Sequence, residues 1–171
     1  MIADLICNLL DTEYSYYKKL GAEKKPSLPE PFTASRYEDA QRFQNYSCSP
    51  VMEGFEPDTH AAEQWSDPFK GGWIAHKQGS CIKFNVSGSI IMLQYRKTIN
   101  KPAPVAYAVI DGDRQNKVLL DANFDEDWGD LCCLEEIYSG AKGEHTVEIV
   151  IDTEGKENSD FMLISVITAN K

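Results

Sequence analysis

The chain opens on a helical pattern of apolar positions and later changes to a two-residue beat. From Met1 to about Leu20, Ile2, Leu5, Ile6, Leu9 and Leu10 recur at spacings of three and four. They make one apolar stripe, continued less strictly by Tyr14, Tyr17 and Leu20, so the spacing predicts an amphipathic helix over residues 1–20. Gly21 supplies the stop. The helix has no capping residue and no lead-in, and we expect it to be the last helix of a domain lying upstream.

Pro26, Pro29 and Pro31 fall within a few positions of one another and can neither continue a helix nor join a central strand. Residues 21–36 are therefore expected to be an extended, semi-rigid linker. From about Tyr37 the pattern becomes short β-type runs. In Cys81–Ser87, Ile82, Phe84 and Val86 alternate with Lys83, Asn85 and Ser87, and a turn is expected at Ser87-Gly88 before a nearly continuous apolar run, Ser89–Tyr95. Pro104–Ile110 reads as another strand, closed by the turn signal Asp111-Gly112. Lys117–Asp121, Leu131–Tyr138, His145–Ile151 and Asp160–Thr168 follow, with a weaker strand around Ser47–Phe55. With no further helix to serve as a crossover, the sheets must be largely antiparallel. The fold expected is all-β: an antiparallel jelly-roll β-sandwich over residues 37–171, preceded by one α-helix.

Composition narrows the partners. Seventeen Lys and Arg stand against 27 Asp and Glu, a formal charge of -10 with no basic stripe, which disfavours nucleic acid and anionic membrane. No apolar run is long enough to span a bilayer, and no secretory leader is visible, so a cytoplasmic location is expected. Five cysteines, none in a Cys-x-x-Cys pair, fit reduced and mostly buried thiols.

Two pieces of the chain are similar to known proteins when taken together. Met1-Ile2-Ala3-Asp4-Leu5-Ile6 resembles the last helix of the SGNH (GDSL-type) hydrolases. The rest resembles the galactose-binding-like jelly-roll accessory domains fused to such esterases. The stretches that match are Gly72-Trp73, Gly79–Phe84, Val109–Gly112 and Gly143–Ile149. The resemblance implies a non-catalytic accessory sandwich, with the missing hydrolase domain as its partner in cis. The parent is then expected to be a carbohydrate esterase, a deacetylase or a lipase-like acylhydrolase. The family's Gly-Asp-Ser nucleophile block does not occur, since Gly129-Asp130 is followed by Leu131, so no catalytic residue carries over.

The residues themselves offer three kinds of chemistry. Asp58-Thr59-His60 has an acid and a base but the wrong spacing and no serine context, and His76 and His145 are the other bases available. Asp121, Asn123, Asp125 and Asp127 alternate oxygen ligands as an EF-hand loop does, but Glu126 stands where Gly is needed and Cys132 where a bidentate Glu is needed. That leaves a looser structural calcium as the metal reading, and no cofactor otherwise. Trp65, Trp73 and Trp128 sit in polar, loop-like surroundings and are the candidate sugar-stacking residues, with a core role the competing reading for Trp73. The function expected is accessory support of the esterase with carbohydrate contact. The alternative is a structural or protein-interaction module without a sugar ligand, in which the stripe of the N-terminal helix finds a partner surface or a second copy.

Overall fold

The computed structural model describes residues 2–20, 35–61, 67–156 and 159–170. The chain falls into two compact units, Met1–Ala34 and Ser35–Lys171. The first contains α1 (Ile2–Leu20), with Asp4 in its first turn and Lys18 and Lys19 in its last, the charge order that suits the helix dipole. Leu5, Ile6, Leu9, Leu10 and Tyr14 are each between 54% and 68% exposed. The linker expected over 21–36 lies, up to Ala34, outside the described residues.

The second unit is all β. Its strands are β1 (Gln41–Phe43), β2 (Val51–Glu53), β3 (Phe55–Pro57), β4 (Trp73–Ala75), β5 (Cys81–Lys97), β6 (Val105–Ile110), β7 (Val118–Asp121), β8 (Leu131–Thr153) and β9 (Phe161–Ala169), with a 3-10 turn at Arg114–Asn116. Every strand pairing is antiparallel. The order runs β3-β4-β9-β5-β8-β6-β7, with β1 on β9 and β2 on β5.

Two layers arise because β5 and β8 each serve both. Their first meeting, Cys81–Gly88 against Gly143–Val150, carries β2 on one side and β6 and β7 on the other. Their second, Ile90–Lys97 against Leu131–Ser139, is flanked by β9, which in turn carries β1 and β4. Between the two, β5 advances from Gly88 to Ile90 while β8 runs from Gly143 back to Ser139, a bulge that lets both strands turn the corner. The turn expected at Ser87-Gly88 is therefore absent, and β5 is one strand of 17 residues. Leu131–Tyr138 and His145–Ile151 likewise join into a single 23-residue strand. The weak strand expected around Ser47–Phe55 resolves into β2 and β3, separated at Gly54 by a positive φ of 75°.

Ile82, Phe84 and Val86 from β5 and Val147, Ile149 and Ile151 from β8 point into one core with Leu93, Phe161, Leu163 and Val166 of the other layer. Trp73 packs edge-on to Phe84 at 5.0 Å, and Tyr95 stacks on Phe161 at 5.9 Å. The antiparallel, all-β jelly-roll reading holds, with one helix before it.

Candidate functional site

The loop from Asp121 to Leu131, which joins β7 to β8, presents the most exposed tryptophan among the described residues. Its root is tied down by backbone bonds: Thr98 donates to the Ala122 carbonyl at 2.8 Å and Phe124 donates to the Thr98 carbonyl at 3.0 Å. Thr98 and Asn123 also form a parallel bridge. At the far side the Ile99 amide donates to Asp130 Oδ1 (3.4 Å), and Arg96 Nε lies 3.7 Å from Asp130 Oδ2. Gly129, at a φ of 141°, takes a backbone conformation that side chains resist and turns the loop back toward β8. Trp128 is 65% exposed and makes a T-shaped contact with Phe124, with centroids 5.1 Å apart and planes at 87°. An exposed indole ring of this kind can stack on the C–H face of a sugar, and the exposed carboxylates of Glu126 and Asp127 can accept bonds from its hydroxyls.

Trp73 does not share that surface. It is 1% exposed, in the core, where it cannot meet a ligand, and the loop-like look of Gly71-Gly72-Trp73 has a packing cause. A Cβ on Gly72 would come within 2.0 Å of the Leu163 carbonyl, so glycine is required for β4 to lie against β9. Trp65 lies outside the described residues.

The four oxygen-bearing residues considered for calcium are not gathered. Asp121 Oδ1 accepts bonds from the Asn123 amide (2.9 Å) and from Asn123 Nδ2 (2.6 Å), and Asn123 Oδ1 accepts from the Ala103 amide at 3.3 Å. Asp125 pairs with Lys101, whose ammonium holds the carboxyl below its usual value. Asp127 is exposed. Among the described residues no group of three or more His, Cys, Asp or Glu is placed to hold a metal ion.

The three histidines hydrogen-bond to carboxylates. His60 Nδ1 lies 2.9 Å from Asp58, whose side chain is wholly buried. His145 Nδ1 meets Asp111 Oδ2 at 2.8 Å and its ring packs on Tyr138. His76, at the end of β4, bridges Asp160 Oδ1 at 2.6 Å and Glu56 Oε1 at 3.1 Å. The bond to Asp160, then that to Glu56, raises the His76 pKa. Sequence reading passes over this clamp, because its members are 20 and 84 residues apart and meet only through the β3-β4-β9 pairing.

No family model matches the chain, and no curated protein sequence does. Solved structures do. A two-domain esterase active on acetylated mannans is 41% identical, with a TM-score of 0.77 over 87% of this chain and 41% of that one. The same kind of esterase co-crystallized with mannopentaose is 39% identical, again at 0.77, over 96% of this chain and 46% of that one. A family two carbohydrate esterase from Cellvibrio japonicus matches at 14% identity and a TM-score of 0.53, covering 77% of this chain and 34% of that one, a likeness of fold. The chain thus spans less than half the length of the esterases it matches. The resemblance to an accessory β-sandwich of a carbohydrate esterase stands.

Proposed function

We propose that this sandwich serves as the non-catalytic accessory domain of an SGNH-type carbohydrate esterase and contacts the glycan substrate through the Trp128 loop. The catalytic domain in cis is its partner, and a reducing compartment such as the cytoplasm suits its five free thiols. The similarity to a mannan-active two-domain esterase over 87% of the chain supports the setting. The single observation that carries the contact is the exposed, tethered Trp128 with its carboxylate neighbours.

Isothermal titration against mannooligosaccharides and a wider glycan panel tests this. Binding is expected, and Trp128→Ala should weaken it by about 2 kcal/mol or more, the cost of truncating a central aromatic anchor. Heat from no sugar at all would sink the carbohydrate role and leave the structural, protein-contacting module. The apolar stripe of α1 supports that second reading, since such a surface gains by being covered.

A further inference from the structure

The outer face of the β2-β5-β8-β6-β7 layer breaks the usual polar-out rule for a solvated sheet. Ala106 and Ala108 of β6 face the core, so Tyr107 and Val109 face outward, and on β8 Val150 does the same between Ile149 and Ile151. The register sets Tyr107 directly opposite Val150, with Leu119 on its other side. Tyr107, Val109 and Val150 line a groove with a cavity of about 330 Å³, together with Gln78 and Gly79. Val109 is only 4% exposed although it lies on this outer face. The volume is at the lower end of the ~300–1,000 Å³ that small-ligand sites occupy.

Charge distinguishes this groove from the rest of an acidic molecule. Glu148 serves two cations at once, with Lys83 Nζ 2.9 Å from one oxygen and Arg114 Nη2 3.0 Å from the other. A third cation, Lys117, sets its ammonium 3.4 Å from the centroid of the Tyr107 ring. Against Lys83, Arg114 and Lys117 stand Glu148, Asp152 and Glu154, which accepts from the Gln78 amide, so the groove is balanced in charge within a chain whose formal charge is -10. An apolar floor with two basic groups in the lining fits a small ring with an apolar face that carries a carboxylate.

We propose that this groove is a second ligand site, for an acidic saccharide: a uronic acid residue whose carboxylate is taken by Lys117 and Arg114 while its ring lies against Val150, beside the Tyr107 ring that Lys117 covers. Asp152, also in the lining, accepts a ring hydroxyl. The site uses strands β6 and β8 and the 3-10 turn, and it stands apart from the Trp128 loop, so either can fail without the other.

Titration of the full chain with glucuronate, glucose and inorganic phosphate decides it, because the sugars differ only in the C6 carboxylate. Glucuronate is expected to bind, with glucose and phosphate each at least about tenfold weaker, a difference of about 1.4 kcal/mol. Lys117→Met should weaken glucuronate by about tenfold, and added salt should weaken it further. Absence of glucuronate binding, equal binding of glucose, or phosphate binding as tightly as glucuronate would each overturn the proposal. Binding indifferent to both Lys117→Met and salt would overturn it too, and the salt series needs no variant to fold.

Discussion

His76 is held between the carboxylates of Glu56 in β3 and Asp160 just before β9, so its protonation state decides how well β3, β4 and β9 are stitched together at that end. The imidazolium can donate to both Asp160 and Glu56, whereas the neutral ring has one proton to give. Its folded pKa is raised above the ordinary value of 6.5, first by Asp160 and then by Glu56. A raised pKa means the stabilisation is fully present below the unfolded value and is lost as pH rises through the folded one. Thermal melts of the wild type and His76→Asn should therefore differ most near pH 6 and converge as the pH climbs past the raised value. A difference that grows with pH would refute this. At the same scale the two tryptophans that look alike in sequence should part company. Trp73→Ala should cost about 3–5 kcal/mol in urea unfolding, the loss expected of a fully buried aromatic. Trp128→Ala should change stability by no more than about 0.5 kcal/mol, as for other surface positions. Neighbouring glycines give both residues loop-like surroundings in the sequence, where a core place at the start of a strand competes as the reading of Trp73. Gly72 is there for close backbone approach and Gly129 for a turn, a distinction that needs the position of Leu163 in space.

At the scale of elements, alternation made much of the sandwich legible and glycine obscured the rest. Ile82-Phe84-Val86 and Val147-Ile149-Ile151 are inward on a strict period of two, as read. Gly88 reads as a turn, yet it lies, like Gly140 and Gly143, where β5 and β8 bulge and change layers without ending. A bulge and a turn use the same residue for the same conformational freedom, and only the partner strand tells them apart. The acidic loop was legible as a place and illegible as chemistry, because the internal partners of Asp121, Asn123 and Asp125 include Lys101 and Ala103 from another loop. With those oxygens already engaged, millimolar calcium should leave the melting temperature unchanged; a clear rise would show that the loop rearranges to bind it. Helix α1 presents the opposite case, a pattern read correctly whose stripe stays exposed. We expect the chain to self-associate through it, and Leu5→Glu with Leu9→Glu should lower the mass seen by light scattering. An unchanged mass would remove the helix as an interface.

For the whole molecule, the order of the strands decides which end of the chain the sandwich can lose. The last strand, β9, is an interior one: it pairs with β1 and β4 along one edge and with β5 along the other. It also brings Phe161, Leu163 and Val166 to the core, and Asn170 just after it donates to Asp39 near the start of the unit. Without β9 the edge of β5 is bare, β1 loses its strand partner and β4 keeps only β3, so the layer cannot close and its buried backbone groups go unpaired. Among the described residues, every member of the three apolar clusters, and every strand, lies at position 41 or later. A 35–171 fragment should therefore unfold cooperatively in urea with an m-value close to that of the full chain, allowing for the surface of one helix. A 1–160 fragment should show no cooperative transition at all. Cooperative unfolding of the 1–160 fragment would mean that the β5-β8 ribbon with β2, β6 and β7 is a core in its own right. Loss of cooperativity in the 35–171 fragment would mean that the N-terminal unit is a structural part of the sandwich and not an appendage to it.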